Sequence, residues 1–435
     1  MHSPAEAHSE LAPNDSRNAS SNRHALAVLT TLFFLSGFLA ALNDILIPHL
    51  KPIFELNYAQ VMLIQFSFFS AFLLFAAPSA MLIARVGYQR TMVAGLLTMS
   101  GGAFLFVPAA NVASFAFFMC ALVILAGGIT ALQVSGNPYV AVLGPARTAS
   151  SRLTLTQACN SLGSTIAPTF GGLLLLDSAS VVPQSAEALH AYRLDQAAQV
   201  KAPYVGIAIA LFILALLVAK SRLPSLTQAS AAASDKLGSV WKYRHLCFGV
   251  GAIFLAVGGE VAIGSFLVNY LTQPDIGALS PKTASFYVSL YWGGSMAGRF
   301  LGSVVMRLFP APKVLGTAGV IVVTLLLTTV LSSGLFAMWS ILLVGLFNSI
   351  MFPTIFTITL ERSSAPEAST SGLLCMAIVG GAILPLLMGT IADGASLFAA
   401  FAVPMAAYAA ITAFAIAASR ARIKAAAPAA VPITH

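Results

Sequence analysis

The chain has 435 residues, of which 58% are hydrophobic and only 8% charged, with a mean hydropathy of +0.89. Soluble domains carry about 45–50% apolar residues, so a soluble enzyme or binding domain is excluded and the chain reads as an integral membrane protein in contact with a lipid bilayer. The formal net charge of +8 calls for no nucleic-acid partner, because Lys and Arg are distributed as loop residues of a membrane protein.

Residues 1–24 are polar and of mixed charge, without the basic and short apolar regions of a signal peptide, and read as a disordered tail. Apolar segments long enough to cross about 30 Å of hydrocarbon as helices then follow. Punctuation by Gly, Pro and charge places them at 25–49, 58–84, 89–109, 112–142, 152–176 and 203–221, and again at 245–271, 283–307, 313–333, 336–360, 368–392 and 397–419. The runs are continuous and lack the alternation of barrel strands. The expected fold is an all-α membrane protein of twelve transmembrane helices. A polar linker, 222–244, separates a first bundle, 25–221, from a second, 245–420, and a tail, 421–435, closes the chain.

Seventeen of the 22 Lys and Arg residues fall on one side of these spans, and Lys51, Arg193, Lys201 and Lys282 on the other, with Arg299 inside a span. The positive-inside rule puts both termini in the cytoplasm. The stretch 177–202 is then a periplasmic excursion with a short interfacial helix, in which His190 is a solvated histidine. Cys120, Cys159, Cys247 and Cys375 lie in spans without ligand-like spacing and read as packing residues, with no metal site.

The two sets of spans share a pattern. Pro168 follows Pro138 by 30 residues, Pro385 follows Pro353 by 32, and each later proline precedes a glycine by four, at Gly172 and Gly389. Two six-helix halves of parallel orientation imply a pseudo-symmetric carrier with its site between the halves near the midplane, an architecture similar to the major facilitator type.

Four strings carry a closer resemblance: NDILIPHLK at 43–51, GITALQVSGNPYVAVLGP at 128–145, RLTLTQACNSLG at 152–163 and SGLLCMAIVGGAILPLLMG at 371–389. They resemble the fucose–proton symporter family, and within it the glucose/galactose transporter branch, over residues 30 to 420. The resemblance implies a monosaccharide carrier of a bacterial inner membrane, driven by an ion gradient. It implies a role in sugar recognition for Gln157 and Asn160, and one in proton and sugar transfer for Asp44, with Asn43 beside it. One departure stands out: Gln133 occupies the place of a fourth-span glutamate in the family, so a relay of two carboxylates through that helix is absent.

The residues support a polyhydroxylated substrate on their own chemistry. Amides both donate and accept, as a ring of hydroxyls requires. Gln133 and Asn137 share a face of the fourth span, and Gln157 and Asn160 a face of the fifth. The alternative is that they bond neighbouring helices. Asp44 is either a titrating group in a cavity or a solvated carboxylate beside Lys51. Glu260, deep in the seventh span, has four open readings: proton site, Na⁺ ligand, acceptor for sugar hydroxyls, or partner of Arg299. Arg299 keeps its charge and reads as structural or gating. Arg85 and Arg90 flank a loop resembling a degenerate form of the basic major facilitator loop, without its aspartate. Tyr291 and Trp292, beside a glycine pair, offer faces for a pyranose, and Asn348 and Asn269 are further polar candidates.

No nucleotide loop, nucleophile elbow or metal signature is present, which argues against an enzyme or ATP-driven pump and against a cofactor. The expected function is monosaccharide import by alternating access, as a monomer, coupled to H⁺ or alternatively Na⁺. The competing readings are a membrane sugar sensor that does not transport and a drug or organic-acid carrier.

Overall fold

The computed structural model describes residues 22, 24–41, 58–112, 114–175, 201–221, 223–224 and 243–420. Asn43, Asp44, Lys51, the 177–200 part of the excursion, most of the N-terminal tail, the 421–435 tail and most of the linker lie outside the described residues. The helices are α1 His24–Ala41, α2 Tyr58–Val86, α3 Tyr88–Val112, α4 Phe115–Val142, α5 Ala149–Leu175 and α6 Lys201–Lys220 in the first half. The second half holds α7 Arg244–Leu271, α8 Pro281–Leu308, α9 Ala311–Leu331, α10 Gly334–Arg362, α11 Glu367–Gly394 and α12 Leu397–Arg420.

Ten of these are long and apolar enough to cross a membrane, among the described residues. The other two, α5 and α8, are as long, at 27 and 28 residues, but more polar. Both lie where the two halves meet. The faces that pack across the seam need not be as apolar as a lipid-facing surface.

Helix ends follow from local chemistry. Ser280 caps α8, accepting from the Thr283 amide at 3.2 Å, with Pro281 in the first turn where no amide partner is needed. The Arg152 side chain reaches back to the end of α4 and donates to the carbonyls of Val140, Ala141 and Pro145. Three spans expected to be continuous are interrupted, α12 by a turn at Phe401 and two others more deeply. A turn at Ser349 and Ile350 splits α10 just before Pro353, whose ring clashes with the carbonyl four residues earlier. A 3₁₀ turn, Ala377–Val379, breaks α11 ahead of Gly380 and Gly381.

The internal repeat is visible as packing. Between the halves, α2 packs on α11 and α5 packs on α8, and a shift of six helices converts one pair into the other. Within each half, the first and fifth helices approach through glycine. A side chain at Gly37 would strike the Asn160 backbone, and one at Gly163 the backbone of Phe34. Correspondingly, a side chain at Gly258 would meet Gly380, and one at Gly380 would strike the backbone of Phe254. Small residues let membrane helices touch along their backbones, so each half holds its fifth helix by the same device.

The halves are fastened at the basic end, where Arg85, Arg147 and Arg307 lie. Ser150 and Thr357 share a hydrogen bond of 2.5 Å, Ser151 donates to the Ser303 carbonyl at 2.5 Å, and Arg307 donates to Ser151 at 3.4 Å. Tyr88 donates to Glu367 at 3.3 Å, and Ser371 to the Val134 carbonyl at 2.6 Å.

Candidate functional site

The site lies above this seam, where α4 and α5 of the first half face α7, α8 and α10 of the second. On the first half, Gln157 donates from Nε2 to Asn137 Oδ1 at 3.2 Å. Asn137 in turn donates to Gln133 Oε1 at 3.4 Å and approaches Cys375 Sγ of α11 at 3.9 Å. Three of the four amides paired by sequence on α4 and α5 therefore form one chain. The fourth turns away: Asn160 directs both N–H groups to α1, to the Phe33 carbonyl at 2.9 Å and Ser36 Oγ at 3.0 Å. The close α1–α5 approach at Gly37 and Gly163 puts those acceptors within its reach.

The second half presents charge. Glu260 lies within a turn of the middle of α7, and Arg299 of α8 donates from Nη2 to its Oε1 at 3.3 Å. Ser295 donates to the same oxygen at 3.4 Å. Both members of the pair are largely sequestered, at 13% and 15% side-chain exposure. Arg299 also donates from Nε to the Ser349 carbonyl at 3.2 Å, at the α10 break, and from Nη1 to Ser161 Oγ of α5. Of the readings open for Glu260, pairing with Arg299 is thus observed, and Arg299 links the two halves.

Behind the pair, Asn348 donates from Nδ2 to the hydroxyls of Tyr291, at 2.9 Å, and Tyr408, at 3.0 Å. Its Oδ1 is buried and has no partner among the described residues. Tyr291 is fully buried, so its ring is not on the cavity surface. Trp292 is 41% exposed, and its indole packs over Gly264, one turn from Glu260 toward the Leu271 end of α7, in space that a side chain there would fill. Asn269 sits at the far end of α7, nine residues from Glu260, which turns it about 180° from that face.

In the basic loop, Gly87 has a φ of 85°, the left-handed turn that glycine accommodates. Arg85 and Arg90 are exposed, and the neighbouring residues make the connections. Gln89 caps the end of α6, donating to the Val218 and Ser221 carbonyls at 2.8 Å each, while Tyr88 reaches Glu367 across the seam. Ser161, Ser295 and the Ser349 carbonyl were not marked by sequence. Serines are frequent in these helices and bond their own preceding turn, as Ser161 also does with the Gln157 carbonyl at 3.1 Å, so only the tertiary fold reveals which serve a second partner.

The Major Facilitator Superfamily model matches residues 29–374. A glucose/galactose transporter of Brucella abortus biovar 1 (strain 9-941) is 48% identical over 386 residues, covering 88% of this chain and 92% of that protein. The L-fucose-proton symporter of Escherichia coli (strain K12) is 32% identical over 387 residues, covering 85% and 87%. Among solved structures, the transporter FucP in the outward conformation superposes with a TM-score of 0.84 at 30% identity, covering 92% of this chain and 100% of that one. The chain belongs to the Major Facilitator Superfamily, in the group of the fucose–proton symporter and the glucose/galactose transporters, a family of carriers and not of enzymes.

Proposed function

We propose that the protein is a secondary active carrier that imports a monosaccharide across a bacterial inner membrane by alternating access, coupled to protons. The observation that carries this reading is the chain of three neutral amides, Gln133, Asn137 and Gln157, on the first half, facing a sequestered carboxylate on the second. An amide chain can exchange its internal bonds for sugar hydroxyls one at a time, without stranding a charge. Asn160 contributes its carbonyl side, and the exposed Trp292 face stacks on the apolar side of the ring. Asn348, whose Oδ1 is buried, reaches a hydroxyl only once the helices in front of it part. Tyr291 supports Asn348 from behind. Relatives named for glucose/galactose and L-fucose transport support a hexose or deoxyhexose as cargo.

With the basic end cytoplasmic, as the positive-inside rule requires, both termini are cytoplasmic and the seam of Ser150, Ser151, Tyr88 and Glu367 closes the inner gate. The described state is then outward-facing, one carrier molecule forming the whole pathway. Asp44 and Glu260 are the coupling acids, and Arg85, Arg90 and Arg299 act on the switch between states. Coupling to Na⁺ is the second reading, favoured by the unpartnered Asn348 Oδ1 near Glu260, since amide and carboxylate oxygens suit a hard cation.

The test is uptake of labelled glucose, galactose, fucose and N-acetylglucosamine into proteoliposomes, under a proton gradient and separately a sodium gradient. Accumulation of one sugar under the proton gradient is expected, and its loss in Asp44→Asn. Accumulation under sodium alone replaces H⁺ by Na⁺. Binding without movement under either gradient makes the protein a sensor and overturns the carrier reading.

A further inference from the structure

Among the described residues, Arg299 spends its donors on three elements at once: Glu260 on α7, the Ser349 carbonyl on α10 and Ser161 on α5. The first two belong to its own half and the third to the opposite half. Any rocking that opens the basic end draws α5 away from α8 and breaks the Ser161 bond, while the other two travel with Arg299. The carboxylate is only partly served in the described state. Arg299 and Ser295 both address Oε1, at 3.3 and 3.4 Å, and Oε2 takes part in neither contact. Among the described residues, the other charged or titratable groups around Glu260 are few. Tyr291 comes from α8 and Tyr408 from α12, where its ring lies against Gly259, whereas α11 presents Gly380 and Leu384, and α10 presents Asn348.

We propose that Ser161 is a positioning residue for coupling: by holding one arm of Arg299 across the seam it keeps the guanidinium from pairing fully with Glu260 in the outward-facing state. A proton from the outer aqueous phase then joins the carboxylate at Oε2. When the halves rock and Ser161 withdraws, the released Nη1 group turns to Oε2, the pair becomes bidentate, and the proton leaves to the inner phase. A planar fork that can grip one or both carboxylate oxygens suits this exchange, and a lysine cannot perform it. The inference rests on the proton-coupled reading above, with Glu260 as one of the acids.

The experiment compares wild type, Ser161→Ala, Ser161→Thr and Arg299→Lys in proteoliposomes, measuring sugar counterflow without a gradient and accumulation under a proton gradient. Freed from Ser161 in both states, Arg299 pairs fully with Glu260 throughout. Ser161→Ala is therefore expected to keep counterflow and lose accumulation above equilibrium, with Ser161→Thr restoring it. The infrared carboxyl band that Glu260→Gln removes is expected to titrate at lower pH in Ser161→Ala, because a fuller cation pairing favours the charged form. Accumulation by Ser161→Ala equal to wild type, a parallel fall in counterflow and accumulation, or an unmoved carboxyl titration overturns the proposal. If the wild type itself accumulates sugar only under a sodium gradient, the proton-coupled reading fails and this inference with it. Proton-driven wild type with unaffected Ser161→Ala removes this inference alone.

Discussion

The two halves place opposite chemistry on either side of the same seam. On α4 and α5 the described polar groups are neutral amides bonded in series, Gln157 to Asn137 to Gln133. On α7 and α8 they are an ion pair, Glu260 with Arg299, sequestered to a similar depth. The backbone scaffolds share one device, since glycine contacts hold α1 to α5 as they hold α7 to α11. They differ in the breaks that interrupt α10 and α11 where α4 and α5 run unbroken, and in their side chains. A symmetric frame can rock about a fixed centre while an asymmetric lining gives one half the recognition of hydroxyls and the other the handling of charge.

The largest expected effect comes from breaking the charged side. Arg299→Ala leaves the Glu260 carboxylate buried without its cation, at a cost of about 3–5 kcal/mol. Thermal unfolding in detergent should show a lowered midpoint, and the double variant Glu260→Gln with Arg299→Ala should recover much of it. Next in size is a test of the shared frame. Gly163→Val and its counterpart Gly380→Val force a side chain into the backbone of the facing helix and should each destabilise by about 3 kcal/mol. Gly206→Ala, where a side chain meets nothing within 4 Å, should be neutral in the same melts.

On the neutral side, Gln157→Ala removes a donor from the amide chain and should weaken sugar binding by about 1–3 kcal/mol, roughly 5- to 150-fold in Kd, with little change in melting. The smallest expected effect is at the inner gate. Tyr88→Phe deletes one hydrogen bond across the seam, worth about 0.6 kcal/mol by the average for membrane helices. It should raise accessibility from the basic side, read as faster labelling of a cysteine placed at Ser371.

Much of the fold was legible in the sequence because lipid imposes a simple rule of length and apolarity. All twelve spans correspond to helices, including α5 and α8, which are more polar than the other ten. The breaks in α10 and α11 were not read, although Pro353 and the Gly380–Gly381 pair stood beside them, because a proline is compatible with either a kink or a full interruption. For the site, sequence supplied the ionisable and amide residues, since each is costly in hydrocarbon and so conspicuous. Partners were harder to foresee. Asn160 faces α1 and not its expected neighbours, Tyr291 lies behind Asn348 and not on a cavity face, and Ser161 meets Arg299 from the other half. These are contacts between distant segments, set by how helices rotate against one another, and helical periodicity specifies only which residues share a face.

The most direct measurement of the central claim is the affinity of the purified protein for glucose, galactose, fucose and N-acetylglucosamine by titration calorimetry, for wild type and Gln157→Ala alongside. A hexose that binds wild type and binds Gln157→Ala at least about fivefold more weakly, with melting unchanged, is the predicted result. Equal affinity in the two proteins would show that the amide chain of α4 and α5 does not hold the sugar.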